Sequence, residues 1–130
     1  MIGVLENKIS QVIEKLRQIE VEVSAEKGDF TLFALIERED SLGKWDLVVS
    51  ANWIGENEKS SIETLASKIH KNLSKEEQLK LSRIVVLPPS DALVRSLNLI
   101  GVEHGTVKLS SNTFNGILVK EAYLITSNSQ

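Results

Sequence analysis

From Leu5 to Val23 apolar side chains recur at alternating spacings of four and three: Leu5, Ile9, Val12, Leu16, Ile19 and Val23. Only an α-helix, at about 3.6 residues per turn, brings residues so spaced onto one side of a segment. The pattern is the a/d seam of a heptad repeat, sustained for nearly three heptads. Ile13 widens the stripe, and nearly every other position is Glu, Lys, Gln, Arg, Ser or Asn. Gly28 and Asp29 end the segment and lead into a turn. Such a stripe must be covered, and it fits two destinations. Seam plus Ile13 is wide enough to pack on the chain's own sheet. The six seam positions equally suit knobs-into-holes packing against the same helix of a second subunit.

Beyond the helix the period changes to two. Phe30 to Glu37 reads as a strand with Phe30, Leu32, Ala34 and Ile36 on one face and Phe33 and Leu35 on the other. Apolar residues on both faces imply cover on both sides. Arg38 to Lys44 is a polar connection, and Trp45 to Ala51 a second strand. Together they predict an antiparallel hairpin. Ser60 with Glu63, and Ser74 with Glu77, have the spacing of helix capping boxes. They predict a helix over Ile62–Leu73 and a short one after Ser74. Arg83–Leu87 is a short buried strand stopped by Pro88-Pro89, and Ser90-Asp91 can cap a further helix carrying Leu93, Val94 and Leu97. Thr106–Ser110 and Ile117–Thr126 read as strands, with a turn at Ser111–Thr113 and a frayed polar tail over 127–130. The order is α-β-β-α-α-β-α-β-β. It predicts one α+β domain over 1–130, or a three-layer α/β/α variant, with a mixed sheet of about five strands. The third strand is expected to join in parallel after its helical crossover.

Composition narrows the chemistry. The chain has 130 residues and no cysteine, which removes disulfides, thiolate catalysis and Cys-ligated metals. The two histidines, His70 and His104, are far apart and lack partners at i+4. They read as a helix-surface residue and a turn residue, and no metal or cofactor is called for. There is no glycine-rich phosphate loop and no G-x-S-x-G elbow. Net charge is −3, which disfavours nucleic acid. The basic run Lys68, Lys71, Lys75, Lys80 and Arg83 reads as a solvated face. No apolar stretch reaches the roughly 20 residues of a membrane span, and the N-terminus has no signal-peptide pattern. The expected location is cytoplasmic.

Three constellations stand out. The first is the seam, as an interaction surface. The second is the segment Trp45–Trp53: Trp45 falls on the core face, whereas Asn52 and Trp53 lie in a loop as a possible ligand or partner contact. The third is a carboxylate set, Glu37, Glu39, Asp40 and Asp46, at the ends of the hairpin. Asp46 lies within a strand and needs a partner, for which Lys44 and Arg38 are near in sequence. A helix followed by a hairpin, a helix and a strand loosely resembles the core of the restriction-endonuclease-like superfamily, in which paired carboxylates hold Mg²⁺ beside a lysine. The resemblance covers roughly residues 5–87. It implies Glu37, Glu39 and Asp46 as catalytic residues of a metal-dependent nuclease, active or degenerate. The chain departs from the D/E-x-K motif, since Glu37-Arg38-Glu39 puts an acid at the lysine's place. The leading expectation is a non-enzymatic interaction or regulatory domain that associates with another protein or with itself through the first helix. The nuclease-like enzyme is the alternative.

Overall fold

The computed structural model describes residues 2–38, 43–114 and 117–128, with side chains for 9–37, 43–55, 57–109 and 121–128. The chain is α+β. The heptad segment forms α1 (Ile2–Lys27), the longest element at 26 residues. Strands β1 (Leu32–Arg38) and β2 (Trp45–Ser50) pair antiparallel as the predicted hairpin. A 3-10 turn at Gly55–Asn57 leads into α2 (Glu58–Asn72), and α3 (Lys75–Leu79) follows. β3 (Leu81–Val86) returns parallel to β2. After α4 (Ala92–Asn98), β4 (Val107–Phe114) and β5 (Ile117–Ser127) pair antiparallel. The five strands make one mixed sheet in the order β3-β2-β1-β5-β4.

Side-chain alternation divides the sheet into two apolar faces. Phe33, Leu35, Trp45, Leu47, Val49 and Ile125 share a cluster with α1 and α2. Leu32, Ala34, Ile36, Val48, Ala122 and Leu124 share the other with Leu93, Val94 and Leu97 of α4. β1 is therefore covered on both sides, as its doubly apolar sequence requires. None of the helices among the described residues is long and apolar enough to cross a membrane.

Several boundaries differ from expectation. Ser60 does not start a helix: α2 begins at Glu58, and the Ser60 hydroxyl donates to Asn57 O at 3.2 Å. The box at Ser74 and Glu77 forms with both of its hydrogen bonds, and Asp91 caps α4 by accepting from Leu93 N–H at 2.8 Å. The turn expected at Ser111–Thr113 is strand, because β4 stays paired with β5 as far as Phe114. Ser127 is not frayed. It is buried, and its amide donates to Val102 O at 2.7 Å across an isolated bridge.

Candidate functional site

The seam faces inward. Val12, Leu16, Ile19 and Val23 are buried in the cluster on the home sheet, and Ile9 packs at its margin. Leu5 lies on α1, with its side chain outside the described residues. From Val12 to Val23 the stripe is thus covered by the chain's own β1, β2, β5 and α2. Lys68 of the basic run sits 3.7 Å from Glu26 and 4.0 Å from Glu22, linking α2 to the outer side of α1.

Glu37 and Asp46 do not converge. Ile36 is the register partner of Asp46, so alternation places Asp46 on the α4 face and Glu37 on the α1 face. Two ligands on opposite faces of one sheet cannot share a metal ion. Glu37 accepts from Gly43 N–H at 2.6 Å and closes the hairpin, where Gly43 takes φ +80°. Asp46 is paired with Arg83 of β3 at 3.3 Å, not with Lys44, whose ammonium goes to Leu79 O, while the side chain of Arg38 is outside the described residues. Glu39 and Asp40 also lie outside them. Among the described residues no group of three or more His, Asp and Glu is placed to hold a metal ion.

Trp53 is a packing residue. Its indole N–H donates to Asp29 O at 3.2 Å, and its ring meets Phe30 edge-on at 5.3 Å. Gly28, at φ +121°, lets the ring close over the end of α1, since a Cβ there would stand 3.0 Å from Trp53 Cδ1. Asn52 is exposed and borders a crevice of about 220 Å3 at the carboxyl ends of β2 and β3, walled by Ile54, Val86, Leu87 and Pro88. Ligands do bind at such ends of open sheets. This crevice, however, is smaller than the roughly 300 Å3 at which small-molecule sites begin.

Two features were not read from the sequence. One is a buried polar cluster. Glu20 is wholly shielded and accepts from Thr126 Oγ1 at 2.9 Å and Ser24 Oγ at 3.0 Å, while its other oxygen lies 2.5 Å from His104 Nδ1. The signal was present: Glu20 lies seven residues beyond Ile13, on the very row that widens the stripe. The turn at His104 was expected, but its partner, 84 residues away, was not.

The other is the free edge at β3. No strand among the described residues pairs with its outer side. Leu87 N–H bonds inward to Val49 O at 3.0 Å, so alternation turns the N–H and C=O of Ile84 and Val86 outward. Ile84, Val85, Val86 and Leu87 are all half-buried, and Leu79 just before the strand is 68% exposed. Arg83 is the single charge on the strand. Edges are usually blunted by lysine, proline, bulges or cover. On β3 such devices stand at the ends, a register shift between Leu81 and Arg83 and Pro88-Pro89 beyond the strand, and the stretch Ile84–Val86 between them is aliphatic. Compared with known proteins, the chain matches no family model, no curated sequence and no solved structure.

Proposed function

We propose that this is a non-enzymatic interaction domain that self-associates through the β3 edge, with a second copy of the chain as the partner. The observation that carries this reading is the outer side of β3, aliphatic over Ile84–Val86 and paired with no strand among the described residues. A two-fold axis at Ile84 would align two such edges antiparallel and extend the sheets into one. In that register the outward groups of Ile84 face their own copy, and Val86 comes opposite Ser82, which lies at the register shift between Leu81 and Arg83. Arg83 lies opposite Val85 of the second copy, so the two like charges do not meet. Leu79 of each copy comes to the Pro88-Pro89 end of the other strand. Self-association through α1 is not part of this proposal, because Val12, Leu16, Ile19 and Val23 of its seam are buried at home.

The test is sedimentation velocity or light scattering across a wide concentration range. The wild type is expected to show a concentration-dependent dimer. Val85→Lys sets a lysine against the second copy's Arg83, and Leu79→Lys charges an exposed position. Both are expected to give monomers with unchanged circular dichroism. A wild type that stays monomeric throughout would end the proposal, as would a dimer that both variants retain.

A further inference from the structure

The cluster around Glu20 joins three segments. Glu20 and Ser24 come from α1, Thr126 from β5, and His104 from the connection between α4 and β4. A carboxyl group with no solvent exposure is costly to ionise unless it is paired and hydrogen-bonded, and His104 supplies the opposite charge when its imidazole is protonated. The His104 backbone is held at φ +48°, a left-handed conformation uncommon outside glycine. Its N–H donates to Thr126 Oγ1 at 3.2 Å, and its carbonyl accepts from Arg17 at 3.2 Å. On either side, Val102 N–H donates to Ser127 O at 3.0 Å and Gly105 N–H to Ile125 O at 2.9 Å. The connection is thus held to β5 from Val102 to Gly105 and to α1 at His104, whose imidazole is 42% exposed to solvent.

We propose that Glu20 and His104 form a proton-operated latch, which holds the α4–β4 connection against α1 and the end of β5 and loosens it when the imidazole loses its proton. The inference goes beyond the β3 interface and does not depend on it. The hydrogen bond to Glu20 raises the pKa of His104, burial opposes it, and the charges of Glu20, Asp29 and Glu103 add to the rise. On α1, Arg17 is paired with Glu14 at 2.8 Å and reaches His104 only through its carbonyl. β5 contributes the neutral hydroxyl of Thr126. With the folded pKa above the unfolded value, the latch's stabilisation is complete below about pH 6.5 and disappears as pH rises through the folded pKa.

The experiment uses the full chain carrying His70→Gln, which leaves His104 as the single imidazole. NMR follows the His104 ring and the exchange of the Val102, His104 and Gly105 amides from about pH 5.5 to about 8.5, the window in which histidine changes charge. Protection, corrected for intrinsic exchange, should fall as His104 deprotonates, by about tenfold for each unit its pKa is raised. Glu20→Gln and His104→Gln should both give protection that does not vary with pH. The double variant Glu20→Gln with His104→Gln removes both charges together, so it serves where either single variant fails to fold. The latch is overturned by a His104 that titrates at the unfolded-chain value. Protection that stays level through its transition, or variants that keep the wild-type pH dependence, would do the same.

Discussion

The two faces of the sheet are both apolar, yet they are covered very differently. On one, the 26-residue α1 and the 15-residue α2 lie over Phe33, Leu35, Leu47, Val49 and Ile125. On the other, a helix of seven residues covers Leu32, Ala34, Val48 and Leu124. The thin cover does not reach the edges: Val85 and Leu87 at one side and Val107 and Leu109 at the other stay half-buried. Just past α4, Leu99 is 89% exposed. The thick face holds the larger cluster, and β3 stays half-buried on both faces, Ile84 and Val86 at the margin of one and Val85 and Leu87 at the margin of the other. The two edges differ as well. β4 carries Lys108, a residue that discourages pairing, whereas β3 ends in Ile84-Val85-Val86.

If the faces differ as described, truncations on them should rank. Leu16→Ala empties a fully buried site held between α1 and the sheet, where the surroundings cannot follow. A loss of about 4 kcal/mol is expected, read from urea denaturation. Leu97→Ala removes an equally buried side chain from α4, but a short helix can settle inward, and about 2.5 kcal/mol is expected. Equal losses at the two sites would break the comparison. Asp91→Ala deletes the cap of α4 alone and should cost about 1 kcal/mol. Native-state hydrogen exchange should confine that loss to α4 and its neighbours. Weakening that spread equally into α1 would mean that the two layers open together.

What was legible in the sequence follows from local rules. The seam from Ile9 to Val23 and the doubly apolar run Phe30–Glu37 announced a helix and a buried strand, because side-chain direction is set by backbone period. The hairpin, the parallel third strand and the final antiparallel pair followed from element order. The failures have equally definite causes. Ser60 carried a capping sequence, but helix formation began two residues earlier at Glu58, which left its hydroxyl inside the first turn. Ser111–Thr113 has turn composition, yet the ladder to β5 kept it extended. Glu37 and Asp46 looked like a pair along the hairpin. Their register puts them on opposite faces, a fact that depends on which residue of β1 meets which of β2.

The heptad itself marks the boundary between the two kinds of information. By sequence alone it determined that residues 5–23 form an amphipathic helix with one wide apolar stripe. Periodicity is a property of the segment and needs nothing else. Which surface the stripe meets is a property of the whole chain. Packing chose the home sheet, because β1, β2 and β5 present an apolar face broad enough to cover Val12, Leu16, Ile19 and Val23 together. The same docking rotated Glu20 inward to His104 and left β3, an element of only six residues, as the open aliphatic edge. Contacts across 84 residues and a strand's place at the rim arise only when the layers assemble, and no local pattern encodes them.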